Sequence, residues 1–240
     1  MKPVYFNHDG GVDDLISLFL LLHMDDVQLI GVSAIGADSY VEPAESASRK
    51  IINRFSKYPL DVAPHITQNI ERLVWMGGTF LERGNVEEPE HDGTAEWNAF
   101  WDPEAVETVF NSDIAIDMVA LESTNQVPLT LDVRQMWADE RHYPGVDFLG
   151  VSYAAVPPLT HFQTNSTYFL WDVLTTAYIG KPELVKKEKV KASVYTQGPS
   201  QGRTYLDEVH GREIQVINHV ERDAFFQYIT DLAKKVGTDL

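Results

Sequence analysis

The chain has 240 residues, of which 44% are hydrophobic and 23% are charged, as in a globular protein that can bury one core as a single domain spanning residues 1–240. Its formal net charge of −17 disfavours nucleic acid and anionic membranes as partners, because both are bound through clustered Lys and Arg. It has no cysteine, no apolar run as long as a membrane helix and no secretory signal, so we expect a cytoplasmic protein without disulfides.

The first elements alternate between strand and helix. A buried strand over residues 3–6 leads into a helix over 12–24, where apolar side chains recur at helical spacing. A second strand over 27–36, rich in β-branched residues, precedes an amphipathic helix over 41–55. This β-α-β-α order predicts an α/β fold with an open, mostly parallel, Rossmann-like sheet and helices on both of its faces.

The rest of the chain continues this alternation. The predicted strands cover residues 70–78 and 114–122, and the predicted helices cover residues 102–112, 166–180 and 222–236. Residues 146–165 are predicted to be a mixture of helix and loop. The charged run "PELVKKEKVKA" (182–192) is predicted to be a solvated surface.

The stretch "NHDGGVDDL" (7–15) places three carboxylates, those of Asp9, Asp13 and Asp14, at the junction of the first strand and the first helix. Their mutual repulsion costs stability unless a cation lies among them. Oxygen-rich clusters of this kind select Ca²⁺ or Mg²⁺, and zinc is disfavoured because there is no cysteine and the histidines are scattered. Acidic residues in a first helical turn also offset the helix dipole, and this simpler interpretation of Asp13 and Asp14 stays open.

Further polar side chains follow the later strands. Asp38 follows the second strand, the loop over 77–98 follows the third, and Asp172 lies at the start of a late helix beside Trp171. Because ligands of parallel α/β sheets bind beyond the carboxyl ends of the strands, we expect these residues to converge on one pocket. Trp97 and Trp171 are of a type that is more often a core aromatic than a binding platform. The histidines interpreted as structural or exposed are His8, His65 and His91.

Four blocks of sequence follow one another along the chain: "NHDGGVDD", "GNVEEPEHDGTAEWNAFWDPEA", "ALESTNQVP" and "YFLWDVLTTAYI". Together they resemble the inosine-uridine preferring nucleoside hydrolase family over most of the chain. The segment "AEWN" before "WDPEA", and the tryptophan before Asp172, look most like the purine-specific (inosine-adenosine-guanosine) branch. The resemblance implies the nucleoside hydrolase fold and Ca²⁺-dependent hydrolysis of the N-glycosidic bond of a small-molecule ribonucleoside, giving ribose and free base in purine salvage.

The resemblance also implies roles for individual residues. Asp9, Asp14 and Asp172 would ligate Ca²⁺, and Asp9 would also act as general base for the attacking water. Trp171 would stack on a purine and favour its protonated form. A homodimer or homotetramer is implied by the family alone. The residues that match positions holding the ribose hydroxyls are Asp13, Asp38, Asn85, Glu96 and Asn98.

The chain departs from the family pattern in two places. Asn7 stands where the family usually has its first aspartate. Near residues 63–66 the chain lacks a further stretch, which in the family includes a strand and a G-P-L-[ST]-N loop whose backbone carbonyl completes the calcium shell. Three explanations for the absent stretch are open: a segment omitted from the sequence, an engineered deletion, or a natural degenerate member of the family. The first is favoured, because losing a strand from inside a parallel sheet would break crossover connections and expose core.

Two other functions stay open. A haloacid-dehalogenase-like, Mg²⁺-dependent phosphatase also uses two aspartates after a first strand, but the position of its nucleophile is occupied here by Asn7. A non-catalytic nucleoside or ribose binder would keep Asp38, Glu96 and Asn98 without a complete metal shell. Calcium-dependent release of free base separates the hydrolase from the binder, and release of phosphate from a phosphomonoester identifies the phosphatase.

Overall fold

A computed structural model describes residues 1–58, 60, 70–156 and 168–236 of the chain. The predicted break in the family pattern at residues 63–66 lies outside these ranges. The chain groups into two compact units, each assembled from separate stretches of sequence. The first unit comprises Met1–Ile66, Pro128–Pro182 and Arg222–Leu240, and the second comprises Thr67–Val127 and Glu183–Glu221.

The elements are numbered in chain order. The described helices are α1 (Val12–Leu21), α2 (Val41–Phe55), α3 (Trp97–Trp101), α4 (Pro103–Phe110), α5 (Leu121–Thr124), α6 (Leu131–Asp139), α7 (Pro144–Ala154), α8 (Trp171–Gly180) and α9 (Arg222–Lys234). The strands are β1 (Lys2–His8), β2 (Val27–Ala34), β3 (Arg72–Met76), β4 (Ala115–Val119), β5 (Val185–Val194), β6 (Thr204–Leu206) and β7 (Arg212–Val220). In the described ranges, no helix combines the length and the hydrophobicity that crossing a membrane requires.

The first unit opens with the predicted β-α-β-α order. β1 and β2 pair in parallel along the whole of β1, and α1 connects them. Apolar side chains surround most of α1, and Leu18, Phe19 and Leu20 are fully buried. A helix that is apolar on nearly all sides is enclosed by its neighbours rather than lying on a surface. The acidic first turn of α1 is therefore fixed at the carboxyl end of β1.

The remaining helices of the first unit differ from the prediction at their ends. α7 occupies part of the region predicted as mixed helix and loop, of which residues 157–165 lie outside the described ranges. The helix predicted over 166–180 begins only at Trp171, because Phe169 forms a β-bridge with Pro128 just before it. α9 confirms the predicted closing helix, whereas α6 was not predicted.

The second unit contains a mixed five-stranded sheet with the strand order β3-β4-β7-β5-β6. β3, β4 and β7 run parallel, whereas β5 is antiparallel to both β7 and β6. The α/β class is thus confirmed, and β3 and β4 were both predicted as strands, although their pairing was not. The strand predicted over 114–122 ends at Val119, because the chain turns into α5 at Leu121.

The charged run over 182–192 forms a short 3₁₀ turn and most of β5. Its Lys and Glu side chains are exposed, as predicted, but the strand itself was missed. Val190 packs against the core of the second unit, and Ala192 and Val194 are buried in it. Alternation of charged and apolar residues is the pattern of a strand with one solvated face. The many charged residues of this run led to its prediction as a solvated surface instead of a strand.

An apolar core holds α4 against the sheet of the second unit. Phe110 of α4 packs with Ile116 and Met118 of β4. The ring of Phe110 also meets that of Trp75 edge-on, with centroids 6.3 Å apart. This packing fixes the carboxyl ends of β3 and β4, and the loop after β3 carries several of the candidate site residues.

The other face of β4 carries a buried carboxylate. Asp117 lies between two core residues of the strand, so its side chain points away from them, and it is fully buried. Its oxygens accept hydrogen bonds from Arg72 Nη1 at 2.7 Å and from Lys187 Nζ at 3.2 Å. Because a buried carboxylate is tolerated only when it is paired, Arg72 of β3 and Lys187 of β5 together stabilise the charge that β4 carries.

We expect Asp117→Ala to lower the free energy of unfolding by about 3 kcal/mol, because it removes the shared acceptor of two cations. The matched control is Glu213→Ala, which removes an exposed ion pair with Lys189 at 2.9 Å and should cost much less, because solvent screens an exposed pair. Urea and thermal unfolding measure both values. Equal losses in the two variants would contradict a stabilising role for the buried pairing.

Candidate functional site

A turn built on two glycines joins β1 to α1. Gly10 has φ of +87°, and a Cβ atom there would lie 2.5 Å from the Cβ atom of Ala44 in α2. Both the backbone conformation and the close approach of α2 therefore require glycine. The N–H group of Gly11 donates to Asp14 Oδ2 at 3.0 Å and to Asp9 Oδ1 at 3.4 Å, so two of the predicted metal ligands also cap the start of α1.

Three carboxylates surround this turn. A Cβ atom built on its second glycine would lie 3.2 Å from Asp14 Oδ2, 3.5 Å from Asp38 Oδ2 and 3.8 Å from Asp9 Oδ1. The backbone N–H of Asp38 donates to Asp9 Oδ2 at 3.4 Å, which joins the loop after β2 to the end of β1. The structure thus brings together carboxylates from the ends of two neighbouring parallel strands, as predicted.

Asp13 is buried and connects three helices. Its Oδ1 accepts a hydrogen bond from the hydroxyl of Tyr153 in α7, and its Oδ2 accepts one from the N–H of Asp172 at the start of α8, at 2.9 Å. Burial raises the pKa of Asp13 to about 7, although these donors and the N–H of Val173 act in the opposite direction. Both oxygens of this predicted ribose ligand therefore accept protein donors.

Asp14 lies where negative charge accumulates. Burial, the charge of Asp172 and close contact with Asp9 raise the pKa of Asp14 well above its usual range. Partial burial and the charge of Asp9 also raise the pKa of Asp38. A cation bound among these carboxylates would offset the repulsion that, after burial, contributes to these raised pKa values.

The donor set suits a hard divalent cation, because every predicted ligand offers carboxylate oxygens. Asp9 and Asp172 are close enough to Asp14 to raise its pKa. Among the described residues, however, no three His, Asp or Glu side chains are arranged to hold a metal ion. The chemistry of the site fits calcium, and the three predicted ligands do not form a closed coordination shell.

An aromatic group lies beside the carboxylates. The ring of Trp171 meets that of Tyr168 edge-on, with centroids 4.8 Å apart, and lies 5.8 Å from the ring of Phe169. Trp171 is half-buried, and its Nε1 has no hydrogen-bond partner in the part of the chain that the structure describes. Burial and the charges of Asp13 and Asp172 raise the pKa of Tyr168 far above its usual range.

Sequence reasoning missed the two tyrosines of this site. Tyr153 lies in the region that was predicted only as mixed helix and loop, and it is 140 residues from its partner Asp13. No local pattern could have paired them. Tyr168 was placed inside a predicted helix, although its position three residues before Trp171, in the block "YFLWD", was an available signal.

In the second unit, Glu96 is buried at the start of α3. Its Oε2 accepts the N–H groups of Gly78 at 2.8 Å and Ala99 at 3.2 Å. Its Oε1 accepts the N–H of Asn98 at 2.9 Å. One carboxylate therefore caps α3 and also holds the turn that follows β3.

The two predicted asparagines belong to the same cluster. Asn85 Oδ1 accepts the N–H of Trp97 at 3.0 Å, and Asn98 Nδ2 donates to the carbonyl of Met76 at 3.1 Å. A Cβ atom at Gly84 would lie 1.8 Å from the carbonyl oxygen of Ala95, so glycine is required where this loop crosses itself. The loop after β3 is thus folded back onto the start of α3.

Each unit brings together the predicted site residues that it carries. The first contains Asp9, Asp13, Asp14, Asp38, Trp171 and Asp172, and the second contains Asn85, Glu96 and Asn98. That all of them converge on one pocket stays a prediction.

Two of the histidines interpreted as structural or exposed, His8 and His91, make hydrogen bonds within the protein. His8 is buried, and its Nε2 lies 3.0 Å from Ser48 Oγ. His91 Nε2 lies 2.9 Å from the carbonyl oxygen of Gln201. His65 lies outside the described residues.

The raised pKa of Asp13 makes the metal-free protein sensitive to pH. Between pH 3.8 and about pH 7, the carboxyl of Asp13 stays protonated in the folded state but ionises in the unfolded state. The free energy of unfolding therefore falls as the pH rises through this range. Burial lowers the pKa of His8 from 6.5 to about 4, which acts in the opposite direction at acidic pH. A variant of Asp13 is needed to separate the two.

We expect the melting temperature of Asp13→Asn, relative to the wild type in chelator, to rise by several degrees from about pH 4 to about pH 8. Circular dichroism measures the difference at each pH. Asp223→Asn, which changes a carboxylate that is 94% exposed, is the control and should show no trend. A difference in melting temperature between Asp13→Asn and the wild type that does not vary with pH would contradict the raised pKa of Asp13.

The model of the inosine-uridine preferring nucleoside hydrolase family matches residues 58–227, more than half of the chain. The non-specific ribonucleoside hydrolase RihC of Salmonella schwarzengrund is 30% identical over 177 residues, which are 70% of this chain and 53% of that enzyme. The chain thus spans about half the length of the curated relatives that it matches. The family match includes Glu96 and Asp172, whereas Asp9 and Asp14 precede it.

Solved structures share the fold. The inosine-uridine preferring nucleoside hydrolase of Bacillus anthracis is 47% identical, with a TM-score of 0.90 over 98% of this chain and 100% of that one. The purine-preferring ribonucleoside hydrolase of Gardnerella vaginalis is 20% identical, with a TM-score of 0.78 over 98% and 100% of the two chains, and shows the fold alone. By its sequence and its fold, the chain belongs to the inosine-uridine preferring nucleoside hydrolase family.

Proposed function

We propose that the protein hydrolyses the N-glycosidic bond of ribonucleosides in a Ca²⁺-dependent reaction that prefers purines and releases ribose and free base. The observation that carries this proposal is the gathering of Asp9 and Asp14 on the N–H of Gly11, with Asp172 near enough that its charge adds to burial in raising the pKa of Asp14. The relatives support the hydrolysis of ribonucleosides, because RihC is named a non-specific ribonucleoside hydrolase and the Bacillus anthracis protein an inosine-uridine preferring nucleoside hydrolase.

Hydrolysis of this bond passes through an oxocarbenium-like ribose, so the site needs negative charge near the sugar and a base for the attacking water. Asp9 is the proposed base. It is half-buried and accepts the N–H groups of Gly11 and Asp38 at 3.4 Å. These contacts are long, which leaves the carboxylate able to accept the proton of a water molecule.

Asp9, Asp14 and Asp172 are the residues proposed to hold calcium. When bound, Ca²⁺ would orient the attacking water and lower its pKa. Asp13 keeps Asp172 in place through the N–H bond at the start of α8. A bound cation would favour the ionised form of Asp14, because it offsets the repulsion from Asp172 and Asp9.

The ribose would be recognised through its hydroxyls. The residues proposed to hold them are Asp13, Asp38, Asn85, Glu96 and Asn98. A set of fixed acceptors and amides of this kind rejects a deoxyribose strongly, because the missing hydroxyl leaves a buried polar group unpaired. For the base, Trp171 offers a half-buried indole beside Asp172 on which a purine would stack.

A non-catalytic nucleoside binder is the second candidate. It is favoured by one observation, namely that no three acidic or histidine side chains among the described residues form a metal site. Such a protein would bind ribonucleosides with and without calcium and would release no base.

We expect the wild type to release ribose from inosine, guanosine and uridine when Ca²⁺ is present, and Asp9→Asn to reduce kcat by at least about 1000-fold, because the base for the water is lost. The matched control is Asp223→Asn, an exposed aspartate of the same unit, which should keep wild-type kcat. Reducing-sugar and ultraviolet assays measure both products. Binding of inosine without release by the wild type would support the binder, and release of phosphate from a phosphomonoester would support a phosphatase.

We expect Trp171→Ala to lower kcat/KM for inosine about tenfold more than kcat/KM for uridine, because a purine loses more stacking area than a pyrimidine. Trp75→Phe, which alters a tryptophan packed in the core of the second unit, is the control and should leave the ratio unchanged. Steady-state kinetics on the two substrates give the ratio. An equal loss on both would rule out a role of Trp171 in base preference.

A further inference from the structure

The hydroxyl of Thr204 forms hydrogen bonds with both backbone polar groups of Thr79. Thr204 belongs to β6 and is buried. Its hydroxyl accepts the N–H of Thr79 at 2.9 Å and donates to the carbonyl of Thr79 at 2.7 Å. One side chain therefore supplies both of the hydrogen bonds that a neighbouring strand would otherwise provide, three residues beyond the end of β3.

The segment Gly77–Leu81, here called the clamp loop, is held from its other side by Glu122 of α5. The carboxylate of Glu122 accepts the N–H of Phe80 at 2.5 Å and the hydroxyl of Thr79 at 3.3 Å. The N–H of Leu121 donates to the carbonyl of Gly78 at 3.2 Å. The clamp loop is thus fixed between α5 and β6 by directional bonds rather than by packing alone.

The clamp loop in turn orients Glu96. Gly78 has φ of +68°, and in this conformation its N–H donates to Glu96 Oε2 at 2.8 Å. A Cβ atom at Gly78 would lie 3.0 Å from Thr204 Oγ1, so the side chain of Thr204 lies beside the residue whose N–H holds the carboxylate. A shift of Thr79 would displace the adjoining residue Gly78, and with it the N–H that Glu96 accepts.

We propose that Thr204 is a positioning residue for Glu96, and that the β5–β6 hairpin therefore contributes to recognition of a ribose hydroxyl. Thr204 lies outside the four blocks that resemble the family, and none of the roles implied by that resemblance involves it. The inference rests on the proposed function, because it takes Glu96 to be a ribose ligand. It adds that the geometry of this ligand is set from a strand that is 108 residues further along the chain.

The test uses Thr204→Val, which keeps the shape of the side chain and removes both hydrogen bonds. Steady-state kinetics are measured on inosine and on its analogues that lack the 2′, the 3′ or the 5′ hydroxyl. We expect KM for inosine to rise about tenfold with kcat changed less than about twofold. Discrimination against one of the three analogues should fall by a similar factor, and the same analogue should be the one affected by Glu96→Gln.

Two further variants distinguish a positioning role of Thr204 from a general loss of stability. Thr204→Ser keeps the hydroxyl and should restore the wild-type discrimination. In the Glu96→Gln background, Thr204→Val should have no further effect on it, because the two residues act on the same hydroxyl. The matched control is Thr230→Val in the first unit, which removes a buried hydroxyl bonded to Trp137 Nε1 and to the carbonyl of Phe226 and should leave the discrimination unchanged.

A second variant covers the case in which Thr204→Val does not fold. Glu122→Gln weakens the bonds on the other side of the clamp loop and should reduce discrimination against the same analogue. Unchanged discrimination in the folded variants, or an equal loss against all three analogues, overturns the inference while the proposed function stands. A wild type that releases no base fails the proposed function; calorimetric Kd values for inosine and the analogues then replace KM, and absence of binding overturns both.

Discussion

The carboxylate of Asp13 is the constraint on which the arrangement of the first unit depends. It belongs to α1, accepts the hydroxyl of Tyr153 from α7 and binds the N–H groups at the start of α8. A buried carboxylate is costly unless its oxygens are satisfied, so the three helices are held in one geometry. That geometry fixes Asp14, the next residue of α1, and Asp172, whose backbone donates to the carboxylate. Asp13 therefore fixes the positions of the two predicted metal ligands Asp14 and Asp172 relative to each other.

The second unit uses a related device. Glu96 is a buried carboxylate at a helix start, and its oxygens hold both the first turn of α3 and the clamp loop after β3. In each unit a carboxylate binds the unpaired N–H groups of a helix N-terminus, where its charge also interacts favourably with the helix dipole. Loops that carry candidate site residues are thereby made rigid, although loops of this length are ordinarily the mobile parts of a domain.

Electrostatics explains why a folded state with so many close carboxylates would be suited to a cation. The pKa shifts of Asp13, Asp14 and Asp38 are all upward, and burial is the largest cause of each. Carboxyl groups with raised pKa values are partly protonated at neutral pH, so the site then carries less negative charge. A bound divalent ion favours the ionised carboxylates. The same negative charge would stabilise an oxocarbenium-like ribose, so one arrangement serves both the proposed metal and the proposed reaction.

The sequence by itself determined the α/β class, the β-α-β-α opening and the placement of Asp9, Asp14 and Asp38 at strand ends, because hydrophobic periodicity and turn residues are local signals. It also marked Glu96 and Asp172 through motifs of a few residues. The tertiary structure decided which polar groups pair, because Tyr153 and Asp13 are 140 residues apart and Thr204 and Thr79 are 125 residues apart. It also decided that a charged run is the strand β5, because only its neighbours β7 and β6 supply the missing hydrogen bonds. Periodicity reports which face of an element is buried, whereas the partner of a buried polar group depends on how distant elements meet.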